Sequence, residues 1–186
     1  MQAIRSILVV MDPQHPEALA LKRAKLIAGV TQSHLHLLVC DKKGDHSAWL
    51  NDLSSELGKE GFSVSSQQSW HDNPHQTVIA AQQAEGCGLV IKQHVPDNPL
   101  KKAILTPEDW KLLRYCPAPV LMVKTERPWT GGNILAAVDV GNADGEHRTL
   151  HAGIVSHGYD IAGLAKGTLH VITAHPTPML SAADPT

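Results

Sequence analysis

The chain has 186 residues, of which 42% are hydrophobic and 18% charged, and its formal net charge at pH 7 is −2. A chain of this length can bury one complete core and part of a second. Its sequence contains neither the run of about 20 apolar residues that a membrane-spanning helix needs nor the basic stripe that binds a nucleic-acid backbone. The composition therefore predicts a globular protein with no membrane partner and no direct nucleic-acid partner.

Up to residue 124 the sequence alternates between strand patterns and helix patterns. Short apolar runs predict strands at 4–12, 34–40, 62–70, 88–92 and 119–124, of which the third is the most polar and is expected at an edge. Apolar periodicity predicts helices at about 16–29 and 46–58, and start signals at Asn73-Pro74 and Thr106-Pro107 predict two more. This alternation predicts a doubly wound, parallel α/β sheet with right-handed crossovers.

After residue 124 the opening pattern of the chain recurs. The apolar runs at 134–139 and 168–174 repeat those at 7–12 and 34–40. A helix is predicted between them, with an apolar face formed by Leu150, Ile154, Ile161 and Ala165.

This recurrence predicts a second copy of the first domain. We assign residues 1–124 to the first domain, residues 125–132 to a linker, and residues 133–186 to the start of the second copy. A single βαβ unit cannot bury both faces of its strands, so we expect this second copy to be incomplete.

Two features predict a cytoplasmic protein. The opening residues, MQAIRSILVVMD, lack the small-residue cleavage site of a secretory signal. Cys40, Cys87 and Cys116 are odd in number, widely spaced and set among apolar residues. This pattern is typical of buried thiols in a reducing compartment rather than of a disulfide framework or a zinc site.

Several motifs, in this order, resemble those of the universal stress protein superfamily, and specifically its tandem-domain members. They are ILVVMDP, WHDNPHQTVI, LVIKQH, and TPEDWKLLRYCPAPVLMVK followed by WTGGNILAAVDV. The resemblance extends from about residue 4 to about residue 176. It implies a flavodoxin-like fold with sheet order 3-2-1-4-5, a cytoplasmic location, and a role in surviving stress, including DNA damage, without assigned catalysis.

Many members of this superfamily bind ATP through a glycine-rich segment after the fourth strand, where glycine lets backbone N–H groups approach the phosphates. The matching segment here, KQHVPDNPLKKAILTPEDW, contains no glycine. Of the family's pocket, the resemblance leaves Asp12 and Thr106, and Asp139 is the counterpart of Asp12 in the second copy. Together with His94, Asp12 and Thr106 are the candidate ligand-binding residues of the first domain. We therefore expect a degenerate nucleotide site without a cofactor. The alternative is a stress protein that binds, and slowly hydrolyses, ATP through Asp12 and the 93–106 loop.

Other kinds of site are less consistent with the sequence. A phosphoacceptor receiver domain would use Asp72 as acceptor and Lys124 as its counterion, but Met11 stands where a second acid would help to hold Mg²⁺. No serine or cysteine lies in a nucleophile-elbow pattern with partner residues. We therefore predict a binding or scaffold protein and no enzyme.

Twelve histidines make a metal site worth considering. His34 and His36 share one face of a predicted strand, and His71 and His75 are four residues apart. A helix start separates the second pair, so those two side chains are not expected to stack on one helical turn. Solvated or capping roles are the alternative, and we predict no metal ion.

The fifth strand is the predicted contact with another domain or chain. In the superfamily this strand often pairs with its counterpart, which implies a homodimer or pseudo-dimer here. The expected interface residues are Val120, Leu121, Met122 and Val123. A small-molecule ligand of the first domain is the other expected partner.

Overall fold

The structure is a computed structural model and describes residues 4–15, 18–95, 105–141 and 144–173. The chain divides into two compact units between Glu126 and Arg127. We describe each unit by itself, and the finer assignment of a linker at 125–132 remains a prediction.

The first unit is a five-stranded parallel sheet flanked by helices. Its strands are β1 (Ser6–Met11), β2 (His34–Cys40), β3 (Val64–Ser69), β4 (Leu89–Gln93) and β5 (Val120–Val123). Its helices are α1 (Leu19–Thr31), α2 (Ser47–Lys59), α3 (Pro74–Ala84) and α4 (Pro107–Tyr115). The strand order is β3-β2-β1-β4-β5, which confirms the predicted flavodoxin-like arrangement. The order reverses between β1 and β4, and in such sheets ligands bind at the carboxyl ends of the strands on either side of this point.

The two faces of the sheet carry separate apolar cores, and alternate residues of β1 point into each. Ile7 and Val9 pack toward α1 and α2, whereas Leu8 packs toward α3. All three residues are fully buried. Burying a side chain of this size stabilises a fold by about 2 kcal/mol relative to leaving it exposed. The central strand therefore holds the residues at its carboxyl end in a fixed position.

Two helices begin where their sequences predict, because each supplies its own cap. The Asn73 carboxamide oxygen accepts a hydrogen bond from the Gln76 N–H at 3.1 Å, and Pro74 follows at the first helical position. At α4, the Thr106 hydroxyl accepts from the Asp109 N–H at 3.2 Å, and the Asp109 carboxylate accepts from the Thr106 N–H at 3.3 Å. This reciprocal pair is a capping box, which satisfies two backbone donors at once.

The bounds of α1 differ from the prediction at both ends. The helix begins at Leu19, and the Leu19 N–H donates to the side-chain oxygen of Gln93 at 2.8 Å, so its cap comes from a distant strand. It continues past Gly29 to Thr31, because Gln32 takes the left-handed conformation, with φ of 57°, and closes the end through its N–H to the Ala28 carbonyl. The predicted stop at Gly29 is therefore wrong.

The second unit has the predicted β-α-β order. It consists of β6 (Asn133–Ala137), α5 (Gly145–Ala165) and β7 (Thr168–Ile172), and the two strands pair in parallel. The predicted apolar face of α5 is wrong in part, because Leu150 and Ile161 are exposed. Ala165 is buried as predicted, and the helix packs through it together with Gly158 and Ala162, small residues that let it lie close to the strands. Across the described residues of both units, no helix combines the length and apolar character needed to cross a bilayer.

Candidate functional site

A small cavity lies at the carboxyl ends of β1 and β4, beside the point where the strand order reverses. Its volume is about 150 Å³. It is lined by Val10, Met11, Asp12, His15, Ala18, Lys92, Gln93 and Val95. The lining is largely apolar, and its charged groups come from the ends of the two strands. This is where an open α/β sheet of this topology places a ligand.

Asp12 lies at this cavity, as the sequence predicts, and is held in a tight turn. One carboxylate oxygen accepts the Gln14 N–H at 2.9 Å, and the other lies 2.8 Å from His15 Nδ1. Its side chain remains 45% exposed. The carboxylate is therefore pre-oriented by its own turn and still reachable by a ligand.

Asp109 connects the other two predicted residues, although the sequence analysis does not name it as a site residue. Its carboxylate accepts from Lys92 Nζ at 2.6 Å, contacts His94 Nδ1 at 2.8 Å, and accepts the Thr106 N–H at 3.3 Å. Asp109 is fully buried. Burial alone would raise the pKa of its carboxyl group, but the hydrogen bonds from Lys92 and His94 outweigh burial and hold the pKa below its usual value. His94 and Thr106 therefore belong to one buried network that joins β4 to α4.

At the start of α4, the N–H groups of Asp109 and Trp110 already have internal partners. Pro107 has no N–H group, the Asp109 N–H bonds the Thr106 hydroxyl, and the Trp110 N–H bonds the Thr106 carbonyl at 3.1 Å. The turn also carries the Glu108 carboxylate, which lies 2.7 Å from His75 Nδ1. The hydrogen bond with His75 lowers the pKa of Glu108, with a further contribution from Lys111, so Glu108 is negatively charged at neutral pH. The capping box and the two carboxylates of this turn, Glu108 and Asp109, disfavour a phosphate group at the helix start.

Comparisons with known proteins identify the family. No protein-family model matches the sequence. Universal stress protein E of Escherichia coli K12 is 28% identical over an alignment of 207 positions, which covers 98% of this chain. A crystal structure of a Pseudomonas aeruginosa UCBPP-PA14 protein, assigned to the universal stress proteins, matches 95% of this chain at 77% identity with a TM-score of 0.89. This chain belongs to the universal stress protein superfamily.

The match covers part of each relative. The chain spans 65% of the length of the Escherichia coli universal stress protein and 64% of the Pseudomonas aeruginosa one. A universal stress protein of Archaeoglobus fulgidus matches 66% of this chain at 23% identity with a TM-score of 0.58, which supports the shared fold alone.

Of the remaining predicted residues of this universal stress protein, Asp139 belongs to the second unit, and most of the 93–106 loop lies outside the described part of the chain. Asp139 is exposed in the second unit, where its carboxylate accepts the Gly141 N–H at 3.0 Å. Of the 93–106 loop, residues 96–104 lie outside the described residues. The degenerate nucleotide site expected from this glycine-free segment thus remains a prediction from the sequence.

The two predicted histidine pairs of the universal stress protein serve other hydrogen bonds. His34 and His36 do lie on one face of β2, but three of their four ring nitrogens contact serine hydroxyls of the neighbouring strand. His75 is bound to Glu108, while His71 is exposed. Among the described residues, no group of three or more histidine, cysteine, aspartate or glutamate side chains is arranged to hold a metal ion.

The three cysteines are free thiols. Burial raises the pKa of Cys40 to about 12, and it also raises the pKa values of Cys87 and Cys116. Because the thiolate is the reactive form, these groups are poorly suited to nucleophilic chemistry at neutral pH.

Proposed function

We propose that this universal stress protein acts in the stress response as a non-catalytic binding or scaffold protein, and that its first unit binds a small ligand rather than ATP. The observation that carries this proposal is the capped and acidic amino terminus of α4. A phosphate at this position would have to displace the hydrogen bonds between Thr106 and Asp109. It would also face the carboxylates of Glu108 and Asp109 in the same turn.

The cations near the cavity support the same conclusion. Lys92 is the lysine of the cavity lining, and its ammonium group is already paired with the buried Asp109 carboxylate at 2.6 Å. If Lys92 bound a phosphate instead, the buried Asp109 carboxylate would lose its ammonium partner. Burying an ionised group without such a partner is costly. The site therefore offers little stabilisation to a triphosphate.

The size and lining of the cavity indicate a different kind of ligand. A volume of about 150 Å³ is below the range of roughly 300–1,000 Å³ that holds drug-sized molecules. Asp12 and His15 are reachable polar groups of the lining, while Val10, Met11 and Val95 supply apolar surface. The proposed ligand is a small, mainly apolar molecule with one hydrogen-bond donor directed at Asp12.

Equilibrium dialysis with labelled ATP and Mg²⁺ tests the proposal. We expect no saturable binding by the wild-type chain, and no change on substituting Asp12→Ala. The matched control is Asp139→Ala, which removes the corresponding acid of the second unit. Stoichiometric ATP binding that is lost in Asp12→Ala and retained in Asp139→Ala would favour the alternative, an ATP-binding stress protein that uses Asp12 and the 93–106 loop.

The cellular role is proposed from the family. Resemblance to universal stress protein E supports a contribution to survival under stress, including DNA damage. The three free thiols support a reducing, cytoplasmic location, because such thiols are typical of that compartment. The elevated pKa values of all three thiols support the absence of thiol catalysis.

We further propose that β5 joins two copies of the chain. β5 is the last strand in the sheet order, with β4 as its neighbour, and Val120, Leu121 and Met122 are partly exposed. The Pro119 and Val123 carbonyls bond β4, so the alternation of a parallel ladder directs the N–H groups of Val120 and Met122 away from it. An unpaired strand edge of this kind is suited to pairing with a second strand.

Multi-angle light scattering tests the β5 contact. We expect a dimer for the wild-type chain and a monomer for Met122→Pro, because proline removes the outward N–H while leaving the ladder to β4 in place. Met122→Leu keeps the N–H and is expected to remain a dimer. A monomeric wild-type chain, or an unchanged dimer of Met122→Pro, would contradict the proposal.

A further inference from the structure

Four side chains form an unbroken line of hydrogen bonds at the amino end of β2 and β3. Ser63 Oγ lies 2.7 Å from His34 Nδ1, His34 Nε2 lies 2.7 Å from Ser65 Oγ, and Ser65 Oγ lies 2.8 Å from His36 Nδ1. The strand register places Ser65 directly opposite His36. The line begins at exposed Ser63 and ends at His36, which is 4% exposed.

The far end of this line is a buried nitrogen without a hydrogen-bond partner. His36 Nε2 and the side-chain oxygen of Gln82 are both buried and both lack one. The Gln82 amide nitrogen donates to the Cys87 carbonyl at 2.8 Å, which fixes its oxygen as the free acceptor. Glu85, one helical turn from Gln82 on α3, reaches within 3.8 Å of the His36 ring. The Gln82 side chain therefore belongs to the helix end that covers His36.

The direction in which hydrogen bonds are donated along this line follows from counting the available hydrogens. Each neutral imidazole has one hydrogen to donate and one nitrogen that accepts, whereas each hydroxyl has one hydrogen to donate and two lone pairs that accept. If donation runs inward from Ser63, every internal bond is satisfied and His36 carries its hydrogen on Nε2. That donor complements the acceptor oxygen of Gln82, whereas the opposite direction would leave two buried acceptors and no donor.

We propose that Ser63, His34, Ser65 and His36 form an acid-responsive latch that joins the β2–β3 edge to α3 through Gln82. At neutral pH, one water molecule links the His36 Nε2–H donor to the Gln82 oxygen, because the protein gives neither atom a direct partner. Protonation of His36 places a second hydrogen on Nδ1. Ser65 then accepts from both histidines, its own hydrogen loses its acceptor, and a positive charge is buried beneath α3.

The groups that face His36 determine the direction of the response. β1 presents Leu8, β3 presents Ser65, β2 presents His34, and α3 presents Glu85. Burial lowers the pKa of His36, the Glu85 carboxylate raises it in part, and His34 lowers it again, so the pKa lies below its ordinary value of 6.5. The unfolded chain thus takes up the proton first as the pH falls. Stability from this site is complete above pH 6.5 and decreases between pH 6.5 and the lower pKa of the folded state.

Thermal unfolding at pH 7.5 and at pH 5.5 tests the latch. Substituting His36→Gln removes the titrating group, and His71→Gln removes an exposed histidine of the same unit as a matched control. We expect the unfolding temperature of the wild type and of His71→Gln to fall between the two pH values by about 3 °C more than that of His36→Gln. The same fall in all three proteins would overturn the proposal.

A second measurement on the wild-type chain avoids any question of whether a variant folds. Long-range ¹H–¹⁵N correlation spectra at pH 7.5 report which ring nitrogen of each histidine carries the hydrogen. We expect the Nε2–H form for both His34 and His36. An Nδ1–H form of His36 would reverse the direction of donation along this line and contradict the latch.

Discussion

Substituting Asp109→Ala is expected to destabilise the first unit by about 3–5 kcal/mol, as breaking a buried ion pair does. The change removes the carboxylate that is bound by Lys92, His94 and the Thr106 N–H. It leaves a partly buried ammonium group, a buried imidazole and half of a capping box without their partner. Because the stability of a domain is itself about 5–15 kcal/mol, this loss is a large fraction of the total, and a clearly lower urea midpoint is expected. Urea unfolding followed by circular dichroism measures the loss.

Two further variants separate this network from a general effect of removing negative charge. Glu108→Gln removes the neighbouring carboxylate, which is half-buried at the surface of the same turn, and is expected to cost about 1 kcal/mol or less. Adding Lys92→Met to Asp109→Ala removes the unpaired ammonium group, so part of the stability is expected to return. A loss for Asp109→Ala no larger than that for Glu108→Gln would contradict the role given to the network.

Substituting Gly167→Ala is expected to cost the second unit about 3 kcal/mol, the upper end of the cost of overpacking. A methyl group on Gly167 would lie 2.2 Å from the Gly132 carbonyl oxygen and 3.2 Å from its carbon. These are backbone atoms, and the same carbonyl accepts the Thr168 N–H at 3.0 Å where β6 and β7 begin to pair. The strands would therefore have to separate at this end.

Gly163→Ala is the matched control, because a methyl group there meets no atom within 4 Å and the position is helical. Alanine is favoured over glycine in a helix, so a gain of about 0.5–1 kcal/mol is expected. Hydrogen exchange of α5 and β7 amides measures both variants within the second unit. Equal protection in Gly167→Ala and Gly163→Ala would show that the close approach at Gly132 is not important for stability.

Local signals in the sequence predict the parts of the fold that depend on neighbouring residues. Thr106-Pro107 and Asn73-Pro74 predict helix starts correctly, because each cap forms within three residues. The strand order is confirmed because alternating strands and helices, together with the family resemblance, permit few topologies.

Local sequence signals do not predict contacts between residues that are far apart in the sequence. The start of α1 depends on Gln93, which is 74 positions away from Leu19 in the sequence. The packing face of α5 is formed by glycine and alanine, whereas apolar periodicity selects larger residues such as Leu150. Hydrophobic pattern alone does not indicate how closely a helix approaches a sheet.

The residues of the candidate site are likewise predictable from the sequence only in part. Asp12 is predictable because it follows a buried strand at the point where the sheet order reverses. The role of Asp109 depends on contact between β4 and α4, although a threonine followed three residues later by an acid is a recognisable capping signal. That signal explains the helix start but does not indicate that Lys92 and His94 share the same carboxylate.

The central claim is that the capped, acidic start of α4 and the pairing of Lys92 with Asp109 leave the first unit without a phosphate site. Titrating the ¹⁵N-labelled chain with Mg²⁺–ATP tests it most directly, because the amides of Gln14, Gln93 and Glu108 surround the relevant region. We predict that these amide resonances do not shift in a saturable way. Saturable shifts of all three at one ATP per chain would contradict the account.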